Sequence, residues 1–279
     1  MTKVEGEMTR KPTSNILAKD VDGAVAAGPV VATLAQRELV RFFRQRNRVV
    51  GALLQPIMFW GLFSLGLRGS GLGPAFFFPG TLAMILLFTA IFATISIIED
   101  RSEGFLQSVL VAPAPRWAMV LGKIIGGAVI AMLQALVFLF LGWVTLGIAS
   151  SSLELASAIL LMTVIAVALT SLGFFIAWRM ESTQGFHAIM SVFLFPMWLL
   201  SGSLFPDEAG SWLTLLSRFN PLTYGVAGLR QYLRFRETSI AVETLPGLTV
   251  CWIVSLGFAL VMFALAWRIA GTRTTGDLL

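Results

Sequence analysis

Six long apolar runs separated by shorter polar intervals dominate the chain: about Val49 to Leu67, Phe76 to Ile98, Met119 to Ile148, Leu155 to Trp178, Phe186 to Leu204 and Leu248 to Ile269. Each reaches the roughly 17 to 25 residues that a helix needs to cross a bilayer, and the third is long enough to tilt or protrude. Ahead of them, from Val30 to Arg48, Leu34, Leu39, Val40, Phe42 and Phe43 alternate with Arg37, Arg41, Arg44, Arg46 and Arg48. This spacing predicts a basic amphipathic helix on the membrane surface with its arginines near anionic headgroups, the alternative being a cytosolic extension of the first span.

Two of the polar intervals carry their own pattern. Between the second and third runs, Glu99 to Lys123 holds three acids and three basic residues, and within it Phe105, Leu106, Val109 and Leu110 recur at helical spacing before Pro113 and Pro115. Hydrocarbon penalises such charges, so the interval belongs at a membrane face. Its stripe predicts a short amphipathic helix that Pro113 ends, either a lever for a soluble partner or a helix resting among headgroups. The long connection before the last run opens at Pro206 with a short apolar helix through Trp212 and Leu216. Asn220 and Pro221 then stand where an N-cap and first helical residue belong, with Tyr224 in the first turn. Two such helices can dip back into the bilayer where protein covers their backbone, or can lie on its surface.

The fold expected is therefore an all-α polytopic membrane protein with six transmembrane helices. Residues 1–29 form a loose tail without the apolar core of a cleavable signal peptide, 30–48 the amphipathic helix, 49–269 the membrane domain and 270–279 a second tail. Composition agrees, with 57% hydrophobic and 13% charged residues in 279. The net charge of +5 does not point to nucleic acid, because the basic residues cluster at the ends of apolar runs rather than over a soluble face. Fifteen of the twenty Lys and Arg fall on one side of a six-span topology, which places both termini and the Glu99–Lys123 interval in the cytoplasm. Arg218, Arg230, Arg234 and Arg236 run against this assignment.

Chemistry-bearing groups are sparse. His187 is the only histidine and Cys251 the only cysteine, so neither a Cys-based metal cluster nor a disulfide framework is expected, and no metal site is assigned. Ser201-Gly202-Ser203 lacks a base on its side of the membrane, which disfavours the rival reading of an intramembrane enzyme acting on lipids or peptides; no catalytic residue is assigned. None of the four lysines completes a phosphate-binding loop. Gln55 and Gln134 are the most polar deep side chains, and the lack of intramembrane carboxylates argues against an ion-coupled carrier. Gly122 and Gly126 open the third run at GxxxG spacing, which permits close helix packing within one subunit or between two.

Two local stretches resemble a known family. Glu99-Asp100-Arg101-Ser102-Glu103-Gly104-Phe105, running on through Leu110-Val111-Ala112-Pro113 and Arg116-Trp117 to Lys123, is similar to the cytoplasmic coupling segment of type-2 ABC exporter permeases. Asn220-Pro221-Leu222-Thr223-Tyr224 with Leu229-Arg230 is similar to that family's second signature before the last span. The resemblance covers the chain from about residue 30. It implies a permease subunit that moves a hydrophobic, amphipathic or lipid-linked substrate out across the cytoplasmic (inner) membrane of a prokaryote. It also implies a homodimer with two copies of a separate ATPase, which would hold ATP and Mg while this chain binds no cofactor. ATPase coupling would fall to Glu99, Glu103, Gly104, Phe105, Leu106, Val109, Leu110, Pro113 and Arg116, and an external gate to Pro206, Asn220, Pro221 and Tyr224.

Overall fold

A computed structural model describes residues 26–66, 73–111, 115–204, 212–235 and 245–271. Pro113 and Pro206 lie outside these residues, as do the side chains of Leu110, Trp212 and Leu213. The described chain is helical: α1 (Ala27–Arg44), α2 (Arg46–Gly66), α3 (Pro74–Ala93), α4 (Ile95–Ser102), α5 (Phe105–Val111), α6 (Arg116–Leu146), α7 (Ser152–Ala177), α8 (Thr183–Trp198), α9 (Trp212–Phe219), α10 (Pro221–Tyr232) and α11 (Leu248–Ala270). Among the described residues, six helical segments are long and apolar enough to cross a membrane, as the hydrophobic pattern predicts.

The second of these segments, Pro74–Ser102, is two helices rather than one. Thr94 Oγ1 donates to the carbonyl of Ile91 at 2.6 Å, a side-chain bond that competes with the helical ladder and bends it. Opposite the bend, an added Cβ on Gly173 would stand 2.8 Å from Thr94 Oγ1, so α7 approaches closely there because it has no side chain.

α3 is the centre of the bundle, buried almost all round and packed between α2, α6 and α7. α6 is the longest helix, 31 residues or about 46 Å, and ends at Gly147 with φ 61°. α7 begins with a reciprocal cap, in which Ser151 Oγ accepts from the backbone N–H of Glu154 and the Glu154 carboxylate accepts from that of Ser151. α8 runs through Pro196 into a π-helical turn, Leu199–Ser203, where Gly202 has φ 74°. α11 packs on α7 and α10, and α1 lies along α6.

α1 docks through the GxxxG face of α6. A Cβ on Gly122 would meet Leu34 Cβ at 2.9 Å, and one on Gly126 would meet Glu38 Cβ at 2.8 Å. The motif is used inside the subunit, for a helix that the hydrophobic pattern places on the membrane surface. α10 also departs from a surface helix: Leu222, Thr223 and every residue from Gly225 to Arg230 are buried, against α7, α11, α3 and the π-turn.

Candidate functional site

Charge gathers at one end of the bundle. The carboxylate of Asp100, on α4, has none of its side chain exposed and accepts from both terminal nitrogens of Arg37 at 2.9 and 2.7 Å, and from Arg41 Nη1 at 2.9 Å. Lys123 of α6 bridges Asp100 to Glu38 of α1 through its Nζ. Arg41 Nη2 reaches Glu99 at 2.6 Å, and the Arg37 guanidinium lies 3.7 Å over the Phe105 ring. The hydrogen bonds to Asp100 raise Arg37 further above its already high ordinary pKa, so it stays charged. This network ties α1, α4 and α6 together and covers them with the first residue of α5.

The arrangement corrects one expectation. Arg37 and Arg41 are spent on carboxylates of their own chain rather than directed at headgroups. Ionisable groups are also buried at this end of the bundle, Glu38 on the amphipathic helix, Asp100 in the polar interval and Lys123 near the start of the third apolar run. Charges are tolerated there because each has a partner of opposite sign within hydrogen-bond reach. The signals for it were a lone acid, Glu38, inside an arginine run, and a lone lysine, Lys123, one residue after Gly122 in an apolar span.

α5 follows directly. Gly104 has φ 75°, a conformation that strains any residue with a Cβ, and this lets the chain turn sharply from α4 into α5. The stripe of α5 then faces inward: Leu106 is only 3% exposed, and Phe105 and Val109 pack partly buried against the core. Leu106 is thereby a core residue of this chain, not a contact left open for a partner. The face that remains outward is Ser102, Glu103, Gln107, Ser108 and Val111, the last 83% exposed. Arg116 beyond it donates to the carbonyl of Gly271 at 3.0 Å, and Arg101 holds the carbonyls of Trp178 and Met180 at 2.7 and 3.2 Å.

Next to this charged end lies a cavity of about 420 Å³ between α2, α3 and the start of α8. Its wall is mostly apolar, with Phe42, Ile85, Phe88, Phe92 and Ile130, and its polar groups are Gln55, Thr89, Glu99 and His187. Thr89 Oγ1 is engaged with Gln134 Oε1 at 2.5 Å, and the His187 ring lies 5.0 Å from that of Phe92. Of the aromatic and Met side chains that could line a route, Phe88 and Phe92 do so, whereas Phe59 and Trp60 pack edge-on against Trp198 and Phe78, and Phe63 stacks on Phe77.

The opposite end is built around Asn220 and the π-turn. Asn220 Oδ1 accepts from the backbone N–H of Leu222 at 3.0 Å, capping α10, while Nδ2 donates to the Met197 carbonyl at 2.6 Å. Thr223 Oγ1 donates to the Ser217 carbonyl at 2.8 Å, and Tyr224 OH to that of Arg218 at 3.1 Å. Arg230, buried and 4.4 Å from the centre of the Phe76 ring, donates to the carbonyl of Gly202 at 3.0 Å. Ser201 and Ser203 bond to each other here, 14 residues or about 21 Å of helix from His187, so no serine dyad assembles. Among the described residues no group of three His, Cys, Asp or Glu is placed to hold a metal ion.

Residues 29–233, which include the charged network, the cavity wall and the Asn220 cap, match the family model described as ABC-2 type transporter. The chain is 27% identical over 208 residues to a protein of Cyanophora paradoxa named as transport permease ycf38, covering 71% of each. It is 28% identical over 195 residues to a protein of Escherichia coli K12 named as multidrug ABC transporter permease YbhR, covering 67% of this chain and 52% of that relative.

Proposed function

The chain belongs to the ABC-2 type transporter family, which makes it a multi-pass membrane transport subunit whose ATPase resides on a separate polypeptide, and from that premise we propose that it exports a hydrophobic or amphipathic substrate. In this reading the membrane is the cytoplasmic (inner) membrane of a prokaryote. Both termini and α5 face the cytoplasm, and two copies of the chain work with two ATPases that hold ATP and Mg. The observation that carries the substrate class is the cavity of about 420 Å³, apolar over most of its wall but with Gln55, Thr89 and His187 at fixed points. Such a lining buries an apolar body and orients one polar group, the usual division of labour in a binding pocket. The name of the Escherichia coli relative, a multidrug permease, points the same way.

The mechanism follows from how the charged end is tied. A partner closing on ATP would press the outward face of α5, from Gln107 to Val111, and Gly104 would pass the push to α4. Because Asp100 is held by Arg37, Arg41 and Lys123 together, α4 would carry α1 and the start of α6 with it. The Thr94 bend then lets α4 tilt relative to α3, whose Phe88 and Phe92 face the cavity. At the far end, the π-turn and the Asn220 cap would form the external gate. The experiment is to narrow the cavity: Ala52→Phe, on its wall, should abolish export of a fluorescent amphiphile by the assembled transporter, with basal ATP hydrolysis intact. Normal export by Ala52→Phe would refute the cavity as the substrate route.

A further inference from the structure

Beside the charged network, between α1 and the α4–α5 turn, an open groove of about 560 Å³ is lined by Gln36, Arg37, Val40, Arg41, Arg44 and Glu103 among others. Arg37 and Arg41 are committed to Asp100 and Glu99, but Arg44 makes no ion pair among the described residues. Glu103 has 60% of its side chain exposed and its nearest cation, Arg41, is 3.7 Å away, beyond hydrogen-bond distance. The groove therefore offers one available guanidinium and one nearly available carboxylate. Val40 and Phe43 are exposed on α1 next to it. Arg44 ends α1 five residues before Val49, where the first apolar segment starts, the position at which basic side chains meet lipid headgroups.

We propose that this groove binds the headgroup of an aminophospholipid, with the phosphate on Arg44, the primary ammonium on Glu103 and an acyl chain against Val40 and Phe43. A purely anionic headgroup fits less well. It would use Arg44 and leave Glu103, 60% of whose side chain is exposed, without a partner of opposite sign within hydrogen-bond distance. A headgroup with both signs meets both free groups, and a primary ammonium can donate hydrogen bonds to Glu103 that a quaternary one cannot. The proposal needs α2 to begin a membrane span, and is independent of the direction of transport and of the cargo.

The test uses the assembled permease–ATPase complex in nanodiscs of equal phosphatidylethanolamine, phosphatidylcholine and phosphatidylglycerol, with retained lipid counted by native mass spectrometry. Phosphatidylethanolamine should be retained over the other two. Arg44→Gln should weaken retention of both zwitterionic lipids about fivefold, the equivalent of about 1 kcal/mol for one basic side chain at a lipid surface, and Arg44→Lys should restore part of it. Glu103→Gln should remove the preference for phosphatidylethanolamine over phosphatidylcholine without lowering phosphatidylcholine. Arg268→Gln, exposed at the same end but outside the groove, should leave retention of all three lipids at the parental level. Preferential retention of phosphatidylglycerol, parental retention in Arg44→Gln, or a surviving ethanolamine preference in Glu103→Gln would each overturn the assignment.

Discussion

Replacing Lys123 with Met tests whether the buried charges hold the chain together. Lys123 Nζ is the ammonium between Glu38 and Asp100, and in its absence Asp100 keeps three guanidinium hydrogen bonds whereas the nearest cation to Glu38 is Arg37 at 3.7 Å. Removing one member of a buried ion pair costs about 3–5 kcal/mol, because the other charge stays desolvated. At about 2 °C per kcal/mol, the lower end of the usual conversion since this chain is long, the melting temperature should fall by about 6–10 °C. Glu38→Gln combined with Lys123→Met removes both charges and should recover most of that loss, a coupling of at least about 1 kcal/mol. Cys251, buried in α11 and the only thiol, makes the measurement direct: a fluorogenic maleimide reacts with it as the bundle opens on heating. A Lys123→Met protein that melts within about 2 °C of the parent, or a double variant that loses the sum of the single losses, would refute the argument.

Two further predictions separate the ends of the bundle. Leu106→Glu should lower the melting temperature by placing an unpaired charge in the core, at a cost of several kcal/mol, whereas Val111→Glu should leave melting unchanged and reduce co-purification of the ATPase; the reverse pattern would place the partner on the other face of α5. Asn220→Ala should destabilise α10 by about 0.5–2 kcal/mol through loss of the cap and leave the Met197 carbonyl without its donor, read as faster amide exchange from Leu222 to Thr223 than in α11.

Periodicity and punctuation along the chain were enough to place the six spans and the Asn220-Pro221 start, but not the Thr94 break in the second span or the π-turn after α8. The bilayer demands a certain length of apolar helix, and the Asn220-Pro221 start and the Ser151–Glu154 box are made by residues within a turn of each other, so both can be read locally. What could not be read was which surfaces meet. Arg37 finds Asp100 across 63 positions and Lys123 finds Glu38 across 85, and no local pattern distinguishes an arginine facing lipid from one facing a carboxylate on another helix. The same holds for the α5 stripe, since spacing shows that Phe105, Leu106 and Val109 share a face but not what covers it. Folding α5 back at Gly104 turned that face into core, with Arg37 of α1 over Phe105, and left the polar edge of the helix, with Val111, as the surface on which another molecule can act. Burial is decided by packing between segments distant in sequence, and it was burial that made Glu38 and Lys123 structural partners and moved Leu106 from contact surface to core.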